Sequence, residues 1–70
     1  MHPLAFLEVY MIRVMVNGAG GKMGREVVKA VHNDPELTLV GGIDPTKAGQ
    51  DVGTVAGIEQ LGITMNASID

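Results

Sequence analysis

Seventy residues allow one small domain, and a chain of that size buries only about 60% of the surface its unfolded form exposes. At 46% hydrophobic and 19% charged it is globular in composition, not disordered. The absence of cysteine excludes a disulfide framework and a thiolate zinc site. A net charge of −3 with one Tyr, one Phe and no Trp gives no electrostatic or stacking case for nucleic acid. No apolar run reaches the ~18 residues that span a bilayer, so no membrane segment is expected.

Residues 1–10 are apolar but carry Glu8, no Lys or Arg and no small-residue cleavage site, which makes a poor signal peptide. They read as an N-terminal extension, with residues 11–70 forming the domain. Residues 12–16 are a near-continuous β-favouring run, as expected of a strand in a parallel sheet covered by helices on both faces. Arg13 belongs at its solvent edge. Residues 22–33 have helical periodicity. Met23, Val27, Ala30 and Val31 fall on one face, Val28 widens it, and Arg25, Glu26, Lys29 and His32 lie opposite. Asn33-Asp34-Pro35 ends the helix, because proline restricts the residue before it and cannot continue the ladder. His2 and His32 have no second ligand at metal spacing, so no metal site is expected.

Residues 36–43 form the second predicted strand. Gly41 and Gly42 are unusual inside it and imply a close approach by another backbone or by an adenosine. Asp44 closes the strand. Residues 45–62 are glycine-rich and read as loop, with a short helical turn around residues 52–56 and with Asp51 and Glu59 in solvent. Residues 63–65 suggest a short strand, and Ser68 suggests the cap of a helix beginning near the end of the chain.

The chemistry lies in the turn between the first strand and the helix. Glycines recur as Gly18-x-x-Gly21-x-x-Gly24, with Gly20 as an extra small residue; a strict G-x-G-x-x-G fails because position 23 is Met. In such a turn Gly18 permits the sharp exit from the strand. Gly20 or Gly21 leaves room for a pyrophosphate beside backbone N–H groups, and Gly24 lets the helix pack closely on the strand. Asp44 follows Gly24 by twenty positions, where an acid accepts hydrogen bonds from an adenosine ribose; a turn-forming Asp before Pro45 is the simpler alternative. A Walker A loop is excluded, since Met23 stands where a magnesium-binding hydroxyl is required. An adenosyl-methionine site, which also uses a glycine turn and a later acid, stays open on these residues alone, as does a non-catalytic redox-sensing module.

The stretch from Ile12 through Gly18-Ala19-Gly20-Gly21-Lys22-Met23-Gly24-Arg25-Glu26 closely resembles the opening of bacterial dihydrodipicolinate reductase (4-hydroxy-tetrahydrodipicolinate reductase). Leu39-Val40-Gly41-Gly42-Ile43-Asp44 is similar to that family's second strand and ribose-binding acid. The likeness continues through Gly49-Gln50-Asp51-Val52-Gly53 to the last residue. The resemblance implies an α/β fold, the β-α-β start of a Rossmann-type domain, truncated. It implies a cytoplasmic oxidoreductase of diaminopimelate and lysine biosynthesis that uses NADH or NADPH. It further implies a C-terminal domain that binds the small-molecule substrate and builds a homotetramer. The family's catalytic His-His and Lys would lie beyond residue 70, so these seventy residues are expected to be an inactive fragment with no catalytic residue. What carries over is the cofactor half: Gly18, Ala19, Gly20, Gly21, Lys22 and Met23 at the pyrophosphate and Asp44 at the ribose. Many members place an Arg directly after the acid, where it meets a 2′-phosphate. Pro45 stands there in this chain, leaving Lys47 or Lys22 to supply a cation.

Overall fold

The computed structural model describes residues 12–69. The expected extension at residues 1–10 lies outside them. Strand β1 (Ile12–Asn17) leads through the glycine turn into helix α1 (Lys22–Asn33) and returns as strand β2 (Leu37–Ile43). A 3-10 turn at Pro45–Lys47 and a short helix α2 (Val52–Ala56) follow. β1 and β2 pair in parallel, as the crossover helix requires, and form a two-stranded sheet among the described residues.

The register slips once. Val14 pairs with Leu39 but Met15 pairs with Gly41, so Val40 is an extra residue in β2. A bulge of this kind inverts the alternation of side chains beyond it. Leu39 packs against the core, and after the bulge it is Gly42, not Gly41, that points the same way. A Cβ on Gly42 would lie 2.9 Å from Val52 Cγ2, 3.0 Å from Ala19 Cβ and 3.0 Å from Met65 Sδ. The two strand glycines therefore make room for protein side chains. Gly42 admits the core, and Gly41 admits Met15, whose Cε lies 3.2 Å from the corresponding Cβ position. Of the two expected approaches, by another backbone or by an adenosine, the described residues show neither; side chains take the space at both positions.

The core lies on one face of the sheet. Val16, Ala19, Val28, Val52, Ala56 and Met65 form it, with Val28 and Val52 fully buried. On the other face Met15 is 48% exposed, so the expected cover on both sides of β1 is absent among the described residues. Helix α1 presents Gly24, Val28 and Val31 inward, a stripe rotated by one residue from the expected one. Met23 is 78% exposed and Val27 40% exposed, and both line an open groove. Gly24 sets this rotation. It rests against the Gly18 carbonyl, which no larger residue could do, and so faces the strand in place of Met23. The helix ends as the sequence implies: the Asp34 N–H donates to the Val31 carbonyl at 3.2 Å and its carboxylate accepts from the Glu36 N–H at 2.9 Å.

The short strand expected at residues 63–65 does not form; two isolated bridges stand in its neighbourhood. Thr64 bridges Asp51 and Asn66 bridges Ile43, the latter in parallel on the edge of β2 away from β1. No helix begins between Asn66 and Ile69, so the capping role expected of Ser68 finds no helix among the described residues.

Asp51 departs most from expectation. The sequence places it in solvent, yet its carboxylate caps α2 and gathers the following loop. It accepts from Thr54 N–H at 3.0 Å and Thr54 Oγ1 at 3.3 Å. It also accepts from the N–H groups of Leu61, Gly62 and Ile63 at 3.0, 2.9 and 3.1 Å. The Thr54 N–H is the largest cause holding its pKa down to about 2 from 3.8; desolvation opposes it, and the Leu61, Ile63 and Gly62 amides add to the lowering. Because the folded value lies below the unfolded one, the stabilisation is present above 3.8 and lost as pH falls towards 2. Thermal melts followed by circular dichroism should therefore show Asp51→Asn with a lower Tm at neutral pH and a flatter fall in Tm over that acidic window than the parent chain. Equal slopes in the two proteins would remove Asp51 from the account.

Candidate functional site: the glycine turn and the acid after β2

β1 ends at Asn17, and Gly18 turns the chain with a φ of +73°, a conformation that side chains with a Cβ rarely adopt. The turn then folds back on the end of β2. The N–H groups of Gly18 and Ala19 both donate to the Ile43 carbonyl, at 2.7 and 3.0 Å. The Gly21 N–H donates to the Gly18 carbonyl at 3.0 Å, and the Gly20 N–H donates to Asp44 Oδ2 at 3.0 Å. The amides of Gly20 and Gly21, expected to face a pyrophosphate, are therefore spent on the turn itself.

The open donors come next in the chain. Gly21 caps α1 without a side chain, and the first helical bond is from Arg25 N–H to the Gly21 carbonyl at 2.9 Å. The N–H groups of Lys22, Met23 and Gly24 have no acceptor among the described residues. They stand at a groove of about 570 Å³ bordered by Val14 to Gly18 on one side and by Gly21 to Gly24 and Val27 on the other. The helix dipole makes this end electropositive, and Lys22 is among the residues that line the same groove. The arrangement can bind an anionic group such as a diphosphate, with the exposed Met23 and Val27 offering an apolar surface beside it.

Asp44 is buried, at 9% exposure, and its carboxylate is held on both oxygens. Oδ2 takes the Gly20 N–H; Oδ1 takes the Thr46 N–H at 2.9 Å and the Thr46 hydroxyl at 2.8 Å. The Thr46 hydroxyl, then the Thr46 N–H, lowers its pKa below the usual 3.8, and the Gly20 and Lys47 amides add to this against desolvation. Asp44 thus ties the glycine turn to the 3-10 turn, and three of the roughly four acceptor positions of a carboxylate are filled. Sequence reasoning missed Thr46 and the 3-10 turn. The signal was present in Asp44-Pro45-Thr46, since Asp favours a turn that takes back the N–H two residues on and proline pre-sets its first position. Lys47 closes the turn with its Cγ against Gly20: a Cβ there would lie 2.5 Å from it. Among the described residues no group of three or more His, Asp or Glu is placed to hold a metal ion, and no helix is long and apolar enough to cross a membrane.

A strand, a glycine turn, a helix with an open N-terminus and a second parallel strand closed by an acid are the beginning of a Rossmann-type nucleotide-binding domain. The family described as "Dihydrodipicolinate reductase, N-terminus" matches residues 12–70. The 4-hydroxy-tetrahydrodipicolinate reductase of Synechocystis sp. is 52% identical over 61 residues, which is 84% of this chain and 22% of that protein. That of Rippkaea orientalis is 58% identical over 53 residues, 73% of this chain and 19% of its own length. A more distant relative of the same name, from Desulfitobacterium hafniense, is 42% identical over 59 residues, 84% of this chain and 22% of its own length. The chain belongs to the dihydrodipicolinate reductase family and matches its N-terminal part. It spans about a fifth of the length of these relatives. Membership in a reductase family through its nucleotide-binding part implies a pyridine-nucleotide cofactor.

Proposed function

We propose that these residues bind the adenosine diphosphate half of NADH or NADPH for the reduction of 4-hydroxy-tetrahydrodipicolinate to tetrahydrodipicolinate in diaminopimelate and lysine biosynthesis. The observation that carries the reading is the unpartnered helix N-terminus at the groove, in a chain that matches the reductase family from residue 12 onward. The N–H groups of Lys22, Met23 and Gly24 hold the pyrophosphate, and the Lys22 ammonium adds charge beside it. Gly18 and Gly20 shape the turn that presents them. Asp44 fixes that turn and keeps one acceptor position for a ribose hydroxyl. Bound at its other end, the cofactor supplies a hydride to the substrate. The substrate-binding groups and assembly as a cytoplasmic homotetramer belong, on this reading, to parts of the protein outside these seventy residues.

Titration of the chain with NADH, NADPH and S-adenosyl-methionine tests this, with backbone amide chemical shifts as the readout. The dinucleotides should move the resonances of Lys22, Met23 and Gly24 first. Binding of adenosyl-methionine without either dinucleotide would overturn the proposal.

A further inference from the structure

We propose that Met23 is an oxidation-sensitive site at which a hydroperoxide, by converting the thioether to a sulfoxide, lowers the affinity of the groove for its nucleotide; the inference rests on the nucleotide-binding reading above. The chain has five methionines and no cysteine, so thioether sulfur is its only oxidisable sulfur. The three methionines among the described residues differ widely in access. Met65 is 1% exposed, with its Sδ 3.0 Å from the Cβ position of Gly42. Met15 is half exposed, and its Cγ and Cε lie 3.5 and 3.2 Å from the Cβ position of Gly41, so the strand covers one side of its thioether. Met23 is 78% exposed and stands at the groove, in the first turn of α1. Access to the oxidant therefore favours Met23.

In the step, a sulfur lone pair attacks the outer oxygen of the peroxide. An S–O bond forms and the O–O bond breaks. Sulfur is oxidised by two electrons, and the second peroxide oxygen takes up the proton and leaves, as water when the oxidant is hydrogen peroxide. The new oxygen lies one bond beyond Sδ, the same reach as Oε1 of a glutamine. A thioether is a weak acceptor, whereas a sulfoxide is polar and accepts strongly. In the first turn of α1 the N–H groups of Lys22, Met23 and Gly24 have no acceptor among the described residues. A side-chain oxygen of this reach competes for such donors, and it sets a negative oxygen against those of the diphosphate. The turn has no spare donors to offer in exchange, because the N–H groups of Gly18 to Gly21 are already engaged. Met23 is outside the hydrophobic core, so the change acts on the groove and leaves the fold in place. A dithiol reductant reverses it: the oxygen leaves as water and the dithiol becomes a disulfide.

The test treats the 70-residue chain with hydrogen peroxide, removes the peroxide, locates the added oxygen by peptide mass spectrometry and titrates NADH and NADPH by calorimetry. Among the described methionines Met23 should gain oxygen first, Met15 next and Met65 last. Once Met23 is oxidised, both cofactors should bind about ten-fold more weakly with Tm unchanged, the worth of one contested hydrogen-bonding site. A dithiol-driven methionine sulfoxide reductase should restore the affinity. In Met23→Leu the ratio of affinities before and after peroxide should be close to one, although its other methionines still oxidise. In Met15→Leu the ten-fold ratio should persist. Met23→Gln, which carries an oxygen at the same reach, should bind both cofactors as weakly as the oxidised parent without any peroxide. Unchanged affinity with Met23 fully oxidised, or an equal loss on oxidation of Met23→Leu, would overturn the assignment of Met23 while leaving nucleotide binding intact. Failure of the unoxidised parent to bind either nucleotide would overturn the underlying reading and this inference with it.

Discussion

Gly24→Ala should abolish cooperative folding of the 70-residue chain. A Cβ at this position would run into the Gly18 carbonyl oxygen, lie 2.7 Å from the Gly18 carbonyl carbon and 2.9 Å from Ala19 Cα. All three are backbone atoms of the turn, and no rotamer change can clear them. Relief requires moving α1 away from β1 or opening the turn, and overpacking of this kind costs about 3 kcal/mol or more. A domain this small has a total stability of roughly 5 kcal/mol, so the loss is most of what there is. Gly21→Ala is the comparison. Its Cβ would meet the Gly18 carbonyl oxygen at 3.4 Å, and its φ of −79° suits any residue. Replacing glycine by alanine at a helix N-cap costs less than ~1 kcal/mol. Urea denaturation followed by circular dichroism should therefore show a sigmoidal transition for the parent and for Gly21→Ala, and none for Gly24→Ala. A Gly24→Ala midpoint near that of Gly21→Ala would mean that helix and turn are not in contact as described. The point bears on function, because this contact aims the open amides of Lys22, Met23 and Gly24 at the groove.

The limits of β1, α1 and β2 were legible because each is set by local chemistry: an apolar run, a glycine cluster, a helical period and a proline stop. Which face of α1 turns inward was not. Met23 with Val27 and Gly24 with Val28 are equally good stripes one residue apart, and hydrophobicity favours the first. Close approach of backbones at Gly24 decides for the second, and that depends on the position of Gly18 across the turn. The bulge at Val40 is hidden for a similar reason. It follows from Gly42 having to admit Val52 and Met65, residues ten and more positions away. The role of Asp51 is not legible in the sequence because its partners at residues 61–63 are remote in sequence and offer backbone N–H groups, which leave no mark in the residue pattern. At the candidate site, spacing pointed to the turn and to Asp44. It could not tell which amides stay free, since that is decided by the Ile43 carbonyl and the Asp44 carboxylate reaching back to the turn.

Asp44→Ala should lower the affinity for NADH and NADPH together, by about ten-fold each, and lower Tm as well. If the acid served only to grip the ribose 2′-hydroxyl, NADH would suffer and NADPH would not. The geometry argues otherwise. Removing the carboxylate leaves the Gly20 N–H without an acceptor and frees Thr46, so the 3-10 turn at Pro45–Lys47 loses the side chain that caps it. The glycine turn then loses one of the contacts fixing its shape, and the helix N-terminus it presents is shared by both cofactors. Asp44→Asn discriminates further: its amide oxygen can still accept from Thr46 or Gly20, but not with a charge, so it should fall between the parent and alanine in both affinity and Tm. Titration of each variant with both cofactors, paired with thermal melts, gives the readout. A selective loss of NADH with Tm unchanged would assign Asp44 to the ribose alone and would mean that the turn holds its shape without it.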